Sequence, residues 1–216
     1  MLNTRIAWVA AGFISAASIQ PQIAAQSPKE VALTLARNGL RAGAVMSLTD
    51  FANGESDRGR SMPQPSAPAS VENTLTAFAQ NHPEFLVQRS STSVRLLRRD
   101  APAELVQTLT LPGAAVARDQ VSVSAAVVEV VGSLIKQRPI SGVLGSGTIP
   151  GPGCPLGAPT RVSAGQVTAL DALDNLTSQV PGLSWFVLYD AQRAEEPVHI
   201  GLWCQDGSYF RVQLPR

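Results

Sequence analysis

Two histidines, two cysteines and a pair of aspartates one helical turn apart are the residues with which this chain could do chemistry. His82 precedes Pro83, where an imidazole complements the negative end of a helix. His199 lies in the strand-like run Val198-His-Ile-Gly-Leu-Trp203. With Cys154 and Cys204 it falls short of the four ligands of a closed zinc site. No His-x-x-x-His spacing occurs, so no metal is expected. A serine hydrolase needs a histidine base and a Gly-x-Ser-x-Gly elbow; Gly145-Ser146-Gly147 lacks that spacing. The Gly/Pro-rich run 145–153 also lacks the Gly-Lys-Ser/Thr ending of a phosphate loop, and no cofactor is expected. Asp171 and Asp174 fall opposite the leucines of one helix and read as a solvated face rather than as paired catalytic carboxylates. Arg89, Arg95, Arg98 and Arg99 form a cationic group on two successive strands. They are candidates for contact with an anionic partner, or for guarding a hairpin edge against aggregation.

The start of the chain sets the compartment in which this chemistry is read. Arg5 is followed by residues 6–19 without an ionisable side chain, then Pro21 and the small residues Ala24 and Ala25. A charged start, a short apolar core and a small-residue site read as a secretory signal peptide over residues 1–25. Apart from Lys29 and Lys136, every basic residue is arginine, and alanine is abundant, an association with GC-rich bacterial genomes. Periplasmic or secreted location is therefore expected, with no membrane span after cleavage, since no apolar run approaches about 20 residues. In that oxidising setting Cys154 and Cys204 are expected to form a disulfide. With 17 basic and 16 acidic residues among 216, the chain lacks the charge excess of a nucleic-acid binder. Two cysteines also exclude a disulfide-dense mini-protein.

The elements that must position these residues recur. Leu75, Phe78, Pro83 and Phe85 match Leu173, Leu176, Pro181 and Leu183 at one constant offset, and Val31, Leu35 and Gly43 match Val130, Leu134 and Gly142 at nearly the same one. Two tandem units are expected: a first over 26–100, a linker over 101–120, and a second over 121–216. In the first, Ser27-Pro28-Lys29-Glu30 is a capping box with proline at the first helical position, and Gly39 ends the helix. A strand is expected at 40–46, a loop over 50–69, a helix over 71–81 capped by Ser70, and a hairpin at 85–99. Residues 105–111 read as a strand. In the second unit Ser122 or Ser124 caps a helix to about Lys136, residues 139–145 are strand-like, and the Gly/Pro run is a loop. A helix over 167–179 and strands at 184–189, 198–204 and 208–214 follow. Asp206-Gly207 is a hairpin turn. The class is α+β, with small sheets packed on helices.

The order helix, strand, variable loop, helix, hairpin resembles the short domain at the N-terminus of secretins and TonB-dependent receptors. The matching residues are Val71-Glu-Asn-Thr-Leu75-Thr-Ala-Phe78 with Phe85-Leu-Val87, and Ala169-Leu-Asp-Ala-Leu173-Asp-Asn-Leu176 with Leu183-Ser-Trp185. The family has a regular strand just before the second helix; here that place holds the proline-rich run 61–68 in the first unit and Arg161-Val-Ser163 in the second. No secretin pore or receptor barrel sequence follows. The resemblance implies a docking or signalling module without enzymatic activity, whose partner is another envelope protein. The rival expectation is a periplasmic hydrolase or ligand-binding enzyme with a cleft between the two units.

Overall fold

A computed structural model describes residues 26–56, 70–115, 118–136, 145–149, 151, 153–162, 165–192 and 198–213. The signal segment and the strand-like stretch at 139–144 lie outside the described residues. The first half runs α1 (Pro28–Arg37), β1 (Arg41–Ser47), α2 (Leu48–Ser56), α3 (Val71–Asn81), β2 (Phe85–Arg89) and β3 (Ser93–Arg98). Then come α4 (Ala103–Thr110), β4 (Gly113–Ala115), β5 (Arg118–Ser122), α5 (Val123–Lys136) and β6 (Gly145–Ile149). The chain closes with β7 (Pro159–Val162), β8 (Gly165–Val167), α6 (Ala169–Gln179), β9 (Ser184–Tyr189), β10 (His199–Trp203) and β11 (Tyr209–Gln213).

Local signals explain several boundaries. Ser27 accepts from the Glu30 amide while the Glu30 carboxylate accepts from the Ser27 amide, so the capping box forms as expected. Ser70, Ser122 and Thr168 cap α3, α5 and α6 in the same way, each hydroxyl oxygen accepting from the amide three residues on. Gly207 adopts φ +80°, the left-handed geometry that closes the β10–β11 hairpin.

One mixed seven-stranded sheet, in the order β2-β3-β1-β9-β10-β11-β6, takes strands from both halves of the chain. The α+β class stands, but the main sheet is shared instead of being divided into two small ones; β4–β8 and β5–β7 form separate two-stranded pairs. β1 runs parallel to β3 on one side and to β9 on the other, Gly43 opposite Trp185 and Val45 opposite Val187. Helices α1 to α3 cover one face: Val31, Leu35, Leu75 and Phe78 pack with Ala44, Met46, Leu96, Phe186 and Leu188. Helices α4 to α6 cover the other: Leu109, Val127, Leu170 and Leu173 pack with Val45, Trp185, Val187 and Ile200. A strand with both faces covered reads as a continuous apolar run, and Ser184-Trp-Phe-Val-Leu-Tyr189 is buried at every position.

Four expectations are corrected. Residues 50–56, expected as loop, belong to a helix over 48–56: Ser47 and Asp50 exchange side-chain and amide hydrogen bonds as a capping box, which outweighs the Asn-Gly turn signal. Residues 103–110 form a helix, not a strand, because Leu105 and Leu109, spaced four apart, are the buried ones. Gly145–Ile149 is an edge strand beside β11, not loop; the free edge of β11 supplies hydrogen bonds that need only backbone. The order of elements recurs between the halves but the strand neighbours do not: β3 lies against β1, whereas β11 stands between β10 and β6. Corresponding Leu75 and Leu173 accordingly serve opposite faces of the sheet.

A shared sheet requires β1 and β9 to approach closely, and Gly43 permits it. A Cβ there would sit 2.0 Å from the Trp185 ring. Gly43→Ala is expected to lower stability by about 1–3 kcal/mol, the usual cost of overpacking, measured as a lower midpoint in urea with an unchanged slope.

Candidate functional site

An open groove of about 510 Å³ lies at the amino ends of β1 and β3. The β2–β3 hairpin, with Gln88, Arg89, Ser90, Thr92 and Ser93, forms one wall; Asp171, Asp174 and Asn175 on α6 form the other. Arg41 and Arg95 rise between them from adjacent strands. The first half of the chain thus supplies the floor and the second half a wall.

Its centre is an ion cluster that ties the halves together. Arg95 Nε donates to Asp174 Oδ2 at 2.9 Å, and Arg95 Nη2 donates to the same oxygen at 2.7 Å and to Asp171 Oδ1 at 2.5 Å. The indole N–H of the fully buried Trp185 donates to Asp174 Oδ1 at 2.7 Å. Asp174 is 3% exposed, so the expected solvated face is corrected for this residue; only Asp171 lies near solvent. α6 turns Asp174 onto the sheet because Trp185 and Arg95, on strands β9 and β3, both need an acceptor there.

Electrostatics separates the two acids. Burial pushes the Asp174 carboxyl above the usual carboxylate range, against the pull of Trp185 and Arg95. For Asp171 burial acts upward too, but hydrogen bonds from Arg95 and the Thr168 cap outweigh it and hold its carboxyl below 3.8. A group held low contributes stability above its unfolded value that is lost as pH falls through the folded one. Asp171→Asn should therefore be less stable than the parent at pH 7 by under about 1 kcal/mol, as for a solvent-exposed pair. The gap should close well below pH 3.8, measured by urea unfolding at both pH values.

The other arginines are also placed. Arg98 pairs with Asp50, and its Nε donates to Asp100 at 2.9 Å; Tyr189 Oη donates to the same Asp100 oxygen at 2.8 Å. This network fills the carboxyl ends of β1, β3 and β9, the usual ligand position in sheets of this kind, and it satisfies its own members. Burial and the Asp100 hydrogen bond raise the Tyr189 phenol far above its ordinary range, so it stays protonated as a donor. Arg89 pairs with Glu72 on α3, and Arg99 Nε donates to the Pro83 carbonyl at 3.0 Å. The structure scatters the four arginines over different surfaces; Arg89 and Arg95 reach the groove.

Cys154 and Cys204 are bonded, with Cα atoms 5.2 Å apart. Cys204 follows β10, and the Gly153 amide donates to Asp206 in the adjoining turn, so the disulfide segment is fastened to the hairpin twice. His82 lies between Glu84 and the Gln26 carbonyl, stacked on Phe78; His199 stands at the start of β10. Among the described residues no group of three histidine, cysteine or carboxylate side chains could hold a metal ion, and no helix is long and apolar enough to cross a membrane. Arg41 and Asn175, joined by a 3.0 Å hydrogen bond, escaped the sequence reading. An arginine opening an otherwise buried strand, Arg41-Ala-Gly-Ala-Val-Met, was the available signal. No protein-family model, curated protein or solved structure matches the chain.

Proposed function

We propose that this chain is an exported docking module of a bacterial envelope system, binding another protein without catalysing a reaction. One observation carries the reading: the groove is open, polar and built by both halves of the chain around an ion cluster in which Arg95 bridges two carboxylates. Small-molecule sites are enclosed and mostly apolar, whereas a wide polar groove on a rigid sheet suits a protein segment. The disulfide is compatible with export, and the leader-like residues 1–25 support it. The likeness to the short domain of secretins and TonB-dependent receptors points to the same role.

The rival is a hydrolase using Asp171 and Asp174, whose carboxyls are pushed in opposite directions as in an acid–base pair. Against it, Arg95 occupies the space between the two carboxylates, donating to both, where a substrate atom or water would have to sit.

The test is site-specific photo-crosslinking in the bacterium of origin, with the reactive group placed in turn at the exposed positions Leu86, Gln88 and Leu111. A discrete adduct with one other envelope protein is expected from at least one position. Monomer alone from every position contradicts the docking role.

A further inference from the structure

His82 sits where three elements meet: it ends α3, leads into β2, and faces the residue before the α1 cap. Its Nδ1 lies 3.1 Å from Glu84 Oε1, and its Nε2 lies 3.1 Å from the Gln26 carbonyl oxygen. Both facing atoms are oxygens, and neither a carbonyl nor an ionised carboxylate has a hydrogen to give. Burial acts upward on the Glu84 carboxyl, but hydrogen bonds from its own amide and from His82, together with the Arg98 charge, outweigh it and hold it below its ordinary range. Glu84 is therefore an acceptor throughout the neutral range. A neutral imidazole has one N–H and one lone pair. In that form one of the two contacts sets a lone pair against an oxygen. Both are hydrogen bonds only in the imidazolium.

The ring is held in this position. It stacks on Phe78, centroids 4.7 Å apart, and meets Phe85 edge-on at 6.2 Å. Its backbone is pinned as well: the His82 amide donates to the Phe78 carbonyl at 2.8 Å, and the His82 carbonyl accepts from the Phe85 amide at 3.0 Å. Gln26 precedes the Ser27–Glu30 capping box, so its carbonyl is the partner that can leave. The charged groups facing the ring are Glu84 beside it and Arg98 on β3, whose guanidinium lies over Phe85 at 5.7 Å and pairs with Asp50 and Asp100. Nearby, Arg99 donates to the Pro83 carbonyl and Glu30 of α1 accepts from the Ser27 amide.

We propose that His82 is a pH-sensitive latch that ties the chain entering α1 to the corner between α3 and β2. The imidazolium donates to both oxygens and closes it. On deprotonation the Glu84 and Gln26 oxygens compete for one N–H; the carboxylate, the stronger acceptor, keeps it, and Gln26 is released. Histidine is the side chain whose charge ordinarily changes between about pH 5 and 8, so the latch is closed in mild acid and open above neutrality. The latch is independent of the docking role and stands or falls without it.

The test follows the Gln26 carbonyl carbon and the His82 ring nitrogens by NMR, in the full, disulfide-bonded, isotope-labelled chain, from about pH 5 to pH 8. The carbonyl resonance is expected to shift with the same midpoint as the ring. Glu84→Gln gives the ring a neighbour that can donate as well as accept, so a neutral ring satisfies both sides. In that variant the ring should still titrate while the Gln26 carbonyl resonance stays in place. His82→Gln, which does not titrate, should remove the pH-dependent shift altogether. Three results would each overturn the latch. The ring keeps one charge state across the range, the Gln26 carbonyl ignores the ring's titration in the parent, or it follows that titration equally in Glu84→Gln.

Discussion

Arg95→Met is expected to destabilise the protein by about 3–5 kcal/mol at pH 7, the usual cost of leaving one member of a buried ion pair behind. The residue left behind is Asp174, 3% exposed, with the Trp185 indole as its remaining donor among the described residues. Its carboxyl, already raised by burial, would rise further once the guanidinium is gone. A carboxyl whose folded pKa lies above its unfolded value is favourable to folding below that unfolded value, and the advantage is lost as pH rises through the folded one. The loss in Arg95→Met should thus be greatest near neutrality and shrink on acidification towards 3.8, a higher pH window than that of Asp171→Asn, whose smaller gap closes only below 3.8. Arg95→Lys should fall between, because an ammonium keeps the charge but not the fork that reaches both acids. Urea unfolding of the three proteins from pH 7 to pH 4 tests this; an Arg95→Met protein as stable as the parent at pH 7 would show that the cluster does not hold the halves together.

Cys204→Ser is the second large effect. The bond closes a sequence separation of 50, for which loop-closure entropy gives about 4 kcal/mol. The replaced side chain is also fully buried in the core under helices α4 to α6, so a hydroxyl there needs a new hydrogen-bond partner. Loss of stability of that order is expected in denaturant, with proteolysis entering first at Cys154 and Pro155, whose backbone hydrogen bonds are short-range turns, whereas the Leu156 and Ala158 carbonyls accept from the amides of Ser124 and Val123. Cys154→Ser should lose the same entropic part while sparing the buried site, and so be the milder of the two. A parent protein treated with reductant should behave like Cys154→Ser. If reduction left the unfolding midpoint unchanged, the cross-link would contribute nothing to the folded state.

These two effects also mark what could and could not be read from the chain. The α1 capping box, the Asp206-Gly207 turn and the disulfide were legible because each depends on residues close in sequence or on a pair without competitors. The helix α4 was misread because Leu-Val-Gln-Thr-Leu-Thr carries strand-forming residues, and only the burial of Leu105 and Leu109 against α6 favours the helical period. The strand β6 was read as loop because its glycines carry no pattern; the edge of β11 alone makes it a strand. Asp174 was placed in solvent because a helical face shows which residues lie opposite the leucines, not what a distant strand brings against them. Two hints pointed the other way: an arginine between the buried Val94 and Leu96, and a tryptophan beside the apolar run Phe186-Val-Leu188. Both carry donors that an apolar layer cannot satisfy. The halves were read as separate units for the same reason: β1 meets β9 only in the folded sheet.

The groove exists only if that meeting is real, since β1 and β3 give its floor and α6 its wall. Native-state hydrogen exchange of the full, disulfide-bonded chain measures this directly. Amides of Gly43–Ser47 and of Trp185–Tyr189, paired along the β1–β9 seam, are expected to exchange only through global unfolding, with the same free energy as those of β3 and β10. Fast exchange along the seam, or separate opening energies for the strands before residue 100 and those after residue 180, would contradict a shared sheet and remove the groove with it.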